Sequence, residues 1–295
     1  MAGSWISRCA VAGVTWVFAC SPGHAAQLAP TMFGDFIDPN NLAISAPRRL
    51  SIPASYSPFK IAENESPRPQ DRVFLTYNFY KNELGTEDIH RESIGVEKAL
   101  LGGDASLGLR LPFFQIDGDA RNRNAKVDDL SLLFKYAWIH DREAVLATGV
   151  VLTLPSGASY KLVRGGERHI VQTQPYAGYL WGREDWYVHG FASVVVPSDD
   201  AAPAILFNDL GVGYWLYRGE GILTAAVPTL EVHVNTPLTH RDASDAERRR
   251  DSVDLTGGVH FNLGRRSSVG IAAGTPVTHP RLFDAEVLGQ FNWAF

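Results

Sequence analysis

Residues 287–295 read Val287-Leu288-Gly289-Gln290-Phe291-Asn292-Trp293-Ala294-Phe295, alternating large apolar with polar or small side chains up to a final aromatic. Successive side chains of a β-strand point to opposite faces. One face therefore carries Val287, Gly289, Phe291, Trp293 and Phe295, and the other Leu288, Gln290, Asn292 and Ala294. An apolar face toward lipid and a polar face toward a wet lumen suit a strand of a transmembrane barrel. A half-buried edge strand of a soluble domain would read the same way, so the rest of the chain has to decide.

The amino terminus favours export. Met1 to Arg8 carries one positive charge, and Cys9 to Cys20 is an apolar stretch too short to span a bilayer, the pattern of a secretory signal. Gly23-His24-Ala25-Ala26 supplies the small residues a signal peptidase needs, which predicts a signal peptide over 1–26 and a mature chain from Ala26 or Gln27. Val17-Phe18-Ala19-Cys20 loosely resembles a lipobox, but Phe fits its second position poorly, so ordinary cleavage is expected.

Both cysteines lie in the segment to be removed, so a disulfide or thiolate metal site is not expected in the mature protein. The chain has 27 Lys+Arg and 32 Asp+Glu; removing Arg8 leaves 26 minus 32, or −6, which does not suggest nucleic acid. With 45% hydrophobic residues and a mean hydropathy of −0.09, no apolar run after Cys20 approaches the length of a transmembrane helix. A barrel hides its lipid face in every second position, so average hydropathy does not register it.

Read for alternation, the chain from Arg72 holds about twelve segments long enough to cross a bilayer when tilted. They cover 72–81, 89–101, 105–116, 127–140, 143–154, 168–181, 185–197, 205–217, 221–234, 252–263, 267–276 and 282–295. Their connections alternate in length. Gly102-Gly103-Asp104, Asp141-Arg142, Gly182-Arg183-Glu184, Arg218-Gly219-Glu220 and Gly264-Arg265-Arg266 are short and rich in Gly and charge, as hairpins require. The others, at 82–88, 117–126, 155–167, 198–204, 235–251 and 277–281, are longer and mostly polar. Short periplasmic turns and long extracellular loops distinguish outer-membrane barrels. The expected fold is all-β, an antiparallel outer-membrane barrel over 72–295, with both termini in the periplasm.

Residues 27–71 hold 7 of the 17 prolines and little periodicity, too little for a packed domain. They predict either an extended periplasmic leader or a plug folded into the lumen. Placing the apolar set of each strand against lipid turns Gly108, Ala147, Gly149, Gly178, Gly211, Gly213, Gly258, Gly270, Ala272 and Gly274 inward, which predicts a lumen not filled by its own wall. The same inward faces carry Asn78, Arg110, Lys135, Gln172, Gln174, His189, Asp209, Glu231, His233, Asp254, His260, Glu286 and Gln290. These could line a permeation path, or pair across strands to satisfy buried charge. Pro112, Pro175 and Pro228 each remove a ladder donor, so bulges or kinks are expected there.

Asp128-Asp129-Leu130-Ser131-Leu132-Leu133-Phe134-Lys135-Tyr136, followed by Leu152-Thr153-Leu154-Pro155-Ser156-Gly157, resembles the outer-membrane family associated with the meta-cleavage pathway of phenol degradation. Residues 255–295 extend the likeness to the last three strands of that family, through Gly264-Arg265-Arg266, Ala273-Gly274-Thr275-Pro276-Val277 and the closing Leu288 to Phe295. The resemblance covers most of 72–295 and none of the leader. It implies a channel or transporter for small, often aromatic or apolar compounds, with no catalytic residues. The final aromatics Phe291, Trp293 and Phe295 likewise resemble the signal that the barrel assembly machinery reads.

An enzyme is not expected. His189 and Ser193 share a face but stand about 13 Å apart along a strand, too far for direct proton transfer. The Asn-His-x-Ser arrangement of outer-membrane phospholipases is absent around His189. Glu231 and His233 lack a third metal ligand recognisable from spacing, and Asp117-Gly118-Asp119 lacks the downstream acid of a calcium loop, so neither metal nor cofactor is expected. Arg248-Arg249-Arg250 reads as a solvated loop tip, with contact to lipopolysaccharide phosphates as the alternative.

The functional expectation is an outer-membrane channel passing small solutes by diffusion past weak polar sites. Arg110, Lys135, Glu231, His233 and Glu286 are the candidate lumen contacts, whose replacement should alter flux or ion selectivity without preventing assembly. A closed structural or surface-interaction barrel, with 235–251 as its contact element, is the alternative; a lipid hydrolase is a weaker one. Partners would be outer-membrane lipid, lipopolysaccharide, the assembly machinery and small solutes. The sequence leaves the oligomeric state open.

Overall fold

Period-2 alternation becomes a closed ring of twelve long antiparallel strands. The computed structural model describes residues 29–35, 60–83, 87–117, 126–157, 160–162, 166–168, 170–199, 202–239, 251–279, 281 and 283–295. The expected signal segment and the Arg248-Arg249-Arg250 tip lie outside these residues. In chain order the strands are β1 (Arg72–Glu83), β2 (Glu87–Leu100), β3 (Ala105–Asp117), β4 (Leu130–His140), β5 (Ala144–Leu154) and β6 (Gln172–Arg183). The second half contains β7 (Trp186–Pro197), β8 (Ile205–Tyr214), β9 (Leu223–Pro237), β10 (Ser252–Leu263), β11 (Ser267–Pro276) and β12 (Ala285–Ala294).

Each strand pairs with its neighbours in sequence. β1 closes the ring on β12, from Arg72 opposite Ala294 to Lys81 opposite Ala285. Closure removes the sheet edge, which matters in lipid, where an unpaired amide has no water to bind.

The boundaries differ from expectation where a loop borrows ladder geometry. The segment expected over 127–140 is split: Lys126–Val127 pairs with Phe113 and Phe114 of β3, Asp128 and Asp129 leave the ladder, and β4 begins at Leu130. Arg168 belongs to a separate hairpin of Tyr160–Leu162 with Gly166–Arg168, so β6 starts later than alternation suggests. The turn expected at Gly182-Arg183-Glu184 falls on Glu184 and Asp185, with Glu184 in the left-handed region at φ 55°. Gly182 stays in the ladder opposite Tyr187.

The three prolines inside strands, Pro112, Pro175 and Pro228, sit where pairing is interrupted, because each lacks the N–H that a ladder on one side needs. Beside Pro112, β3 stops pairing with β4 after Arg110, and Asp128 N–H donates to the Pro112 carbonyl at 2.9 Å. At Pro175 the β6–β7 ladder skips from Ser193–Tyr176 to Val196–Thr173 in unchanged register, a gap without a bulge. Next to Pro228, β8 ends opposite Thr229, and Tyr217–Arg218 resumes pairing at Ala226 beyond Trp215 and Leu216.

Outward positions form an apolar belt that includes Leu75, Ile94, Leu107, Leu132, Leu146, Leu210, Leu230, Ile271 and Val287, all exposed. An exposed apolar surface running round the molecule is a liability in water and suits a lipid boundary. Aromatics cluster at the end bearing the short turns, where Trp186 packs on Tyr214, Trp293 on Phe295 and Tyr136 on Trp138. Trp138 Nε1 also donates to Thr148 Oγ1 at 2.8 Å. Amphipathic rings of this kind suit a membrane interface. Phe291, Trp293 and Phe295 all lie on the outer face. At the same rim the Ala99 amide (2.8 Å) and the Lys98 ammonium (3.0 Å) hold the Asp71 carboxyl below its ordinary range.

Candidate functional site in the barrel lumen

The lumen is occupied. Residues 29–35 and 60–66, from the segment expected as leader or plug, lie buried inside the ring and bond to its inner wall, and 67–71 lead out to the rim. Two stretches run past each other there: the Met32 amide donates to the Glu65 carbonyl at 2.9 Å, and a tight turn places the Glu63 amide 3.0 Å from the Lys60 carbonyl. Gly34 has φ 74°, and a Cβ there would sit 2.7 Å from the Glu63 backbone, so the crossing requires glycine.

The wall meets this segment in three sectors. The first spans β1 to β4 and is basic. Glu63 receives Arg91 at 2.7 Å and Arg110 at 3.3 Å, and its carbonyl accepts from Arg110 Nη2 at 2.7 Å. Glu65 receives Arg72 and Lys135, each at 2.8 Å, while the wall's own Glu97 takes the same two cations at 2.9 Å. All of these groups are buried. A buried charge is tolerated when paired and hydrogen-bonded; removing one member of such a pair costs ~3–5 kcal/mol.

Across β4 to β7 the wall is apolar. Met32, Ile61 and Ala62 pack with Leu133, Val151, Tyr176 and Phe191 in one buried cluster. Nearer the short turns a second cluster joins Ala29 to Ala137, Val145, Leu180, Tyr187, Trp215 and Val227.

From β8 to β10 the wall is acidic, with histidine interleaved. The Lys60 ammonium pairs with Asp35 and lies 3.0 Å from Asp209 and from Asn235 Oδ1. His233 Nδ1 lies 2.8 Å from Asp209 and 3.2 Å from Asp35. Glu231 accepts the backbone amides of Phe33 (2.8 Å) and Gly34 (2.9 Å), with His233 at 3.4 Å and His189 at 3.7 Å. Asn235 Nδ2 donates to Asp254 at 3.1 Å. Completing the ring, Gln290 of β12 donates to the Met32 and Phe33 carbonyls, both at 3.0 Å. Phe33 stacks on His260.

Every inward polar residue named from the alternation is buried inside the ring. Of the five candidate contacts, Arg110 and Lys135 meet the segment's glutamates, and Glu231 and His233 meet it on the opposite side. Glu286 stands apart, accepting from Asn78 Nδ2 at 2.8 Å. The wall does not fill its own lumen, since the inner segment takes up the space, but most of the inward glycines do not leave open room. Inward glycines mostly seat rings of the wall itself, because a strand glycine leaves space that a cross-strand aromatic covers. Phe74 lies over Gly95, Tyr176 over Gly149, Phe191 over Gly178 and Tyr187 over Gly213. Gly258 and Gly270 make room for Phe33 of the inner segment.

Alternation alone passed over Arg72, Arg91 and Glu97. The signal for the last two was present, since both lie on the face opposite Ile94 and Val96. The inner partners Asp35, Lys60, Glu63 and Glu65 carried no local signal, because each pairs across 25 or more residues or within an aperiodic stretch.

Asp35, Asp209 and His233 bring ligand atoms within 4.8 Å of one another, a grouping that could hold a metal and that spacing did not reveal. The Lys60 ammonium serves the two aspartates as counter-ion in its place. His189 and Ser193 are not joined either: Ser193 Oγ accepts from Gln174 at 2.8 Å, while the His189 ring faces Glu231.

No protein-family model matches the chain, and no curated protein matches its sequence. Among solved structures it is similar to an outer membrane channel from Pseudomonas putida F1, 14% identical with a TM-score of 0.58, over 77% of this chain and 96% of that one. It is also similar to the NanC porin, 10% identical with a TM-score of 0.50, over 76% of this chain and 98% of that one. Likeness at this identity concerns the fold: this chain has the twelve-stranded barrel of outer-membrane proteins.

Proposed function

We propose that the protein is an outer-membrane channel for passive passage of small solutes, closed in the present state by residues 29–35 and 60–66. The observation that carries this reading is the source of the lumen's counter-charges. Glu63 of the inner segment meets Arg91 and Arg110, Lys60 shares Asp209 with the wall's His233, and the Phe33 and Gly34 amides meet Glu231, so displacing the segment would leave a charged, wettable path. The solved neighbours being a channel and a porin supports the same reading. The charged lumen favours polar solutes over the aromatic or apolar ones that the resemblance to the phenol-pathway family often implies.

Export with removal of 1–26, insertion by the assembly machinery through the terminal aromatics, and contact with lipopolysaccharide complete the proposal. Catalysis has no part in it.

The test is single-channel recording on the mature chain in planar bilayers, beside a Glu63→Gln, Glu65→Gln variant that leaves the basic sector without its inner partners. Conductance steps in either, larger or more frequent in the variant, are the expected result. A second reading, a closed structural barrel, draws on the density of buried ion pairs around the segment. Silence in both proteins, with the barrel demonstrably folded, would favour it.

A further inference from the structure

The charges on the lumen wall are largely sorted by side, with Glu97 interleaved among the cations and His233 among the acids. Arg91 and Arg110 project from β2 and β3; Asp209 and Glu231 project from β8 and β9, six strands away in a ring of twelve and therefore opposite. One short turn spans the two walls. Its Lys60 ammonium lies on Asp209 at 3.0 Å, and its Glu63 carboxylate lies on Arg91 at 2.7 Å and Arg110 at 3.3 Å. Between them Ile61 and Ala62 rest on the apolar sector.

We infer that the lumen selects small zwitterions with an apolar body, and that the Lys60–Glu63 turn occupies the place such a solute takes. This rests on the channel reading and names its solute class. The physical argument is that two opposed walls of unlike charge create a field across the path. In a confined, weakly screened lumen that field orients a molecule bearing both an ammonium and a carboxylate. A simple anion gains at Arg91 and Arg110 but loses opposite Asp209 and Glu231; a simple cation meets the reverse. A zwitterion of suitable length satisfies both walls, as the turn does. Glu97 does not remove the asymmetry, since it is taken up by Arg72 and Lys135; Arg91 and Arg110 take Glu63, and Arg110 also stands 3.9 Å from Glu65 of the same inner segment.

The test is osmotic swelling of proteoliposomes holding the full mature chain, using four probes of similar size: β-alanine, sodium lactate, choline chloride and lactamide. β-Alanine should enter roughly tenfold faster than each of the others, a ratio corresponding to ~1.4 kcal/mol of differential interaction. An Arg91→Gln, Arg110→Gln variant should shift the preference toward choline, and Asp209→Asn should shift it toward lactate. If a variant fails to assemble, the wild-type ranking decides alone. Entry ordered by size, or led by lactate or choline in the wild type, would overturn the inference while leaving the channel standing. No entry of any probe would overturn the inference, and the channel reading would fall with it only if the Glu63→Gln, Glu65→Gln variant were silent in planar bilayers as well.

Discussion

The Phe33 ring lies on the His260 imidazole with centroids 3.9 Å apart and planes 17° apart, fastening the inner segment to β10 by a flat stack. The space for it comes from two glycines: a Cβ at Gly258 would approach Phe33 to 2.7 Å, and one at Gly270 to 2.8 Å. Gly270→Val should therefore dislodge Phe33 at a cost of ~1–3 kcal/mol of overpacking and raise the open probability in bilayers. An unchanged conductance record from a folded Gly270→Val barrel would show that Phe33 does not hold the lumen shut.

Glu231 is the acceptor for two successive backbone amides, Phe33 and Gly34, and the nearest acid to His189. Glu231→Ala would leave these donors buried without it, at ~1–3 kcal/mol for each unsatisfied group. Limited proteolysis of the folded barrel should then cut near 29–35 at least several-fold faster than in wild type. Glu231→Gln, which keeps a carbonyl acceptor, should lie between the two.

Asn64 Nδ2 and Thr76 Oγ1 meet at 3.1 Å across the boundary between the inner segment and β1. Both native cysteines, Cys9 and Cys20, lie in the expected signal segment, so Asn64→Cys with Thr76→Cys would introduce an isolated pair. Oxidised, this protein should be silent in bilayers, and reductant should restore conductance. Equal conductance in both states would mean that solutes pass beside the segment rather than through its displacement.

Phe295 is outward-facing, and Lys98 stands 5.3 Å from its ring centroid. Deleting Phe295 should lower the yield of assembled barrel in cells. The refolded protein in detergent should keep its heat-modifiable mobility, since few internal contacts are lost. A parallel loss in refolding would make Phe295 a stability element instead of an address.

The ring of strands was legible because lipid outside and polar chemistry inside impose a strict period of two on every crossing. Short turns carried their own marks, as at Gly264 with φ 63°. The inner segment was legible as a possibility, not in its contacts. Lys60 and Asp209, or Arg110 and Glu63, are brought together by ring closure, and no spacing rule connects an aperiodic stretch to a strand far along the chain. Prolines misled in one respect: Pro175 leaves a gap in a ladder whose register is intact, since a missing donor need not add a residue.

The seam between β1 and β12 also fixes an order of events. Residues 60–71 run directly into β1, and β1 cannot close before the last strand exists. During synthesis the inner segment thus precedes the wall that will surround it. Its partners Arg91 and Arg110 lie close in sequence, whereas Asp209, Glu231 and Gln290 arrive only with the second half of the chain. Closing a shorter loop costs less entropy, so the basic sector is expected to gather before the acidic one. A sheet that wraps round the segment as it closes avoids the more difficult passage of charged groups through a finished pore.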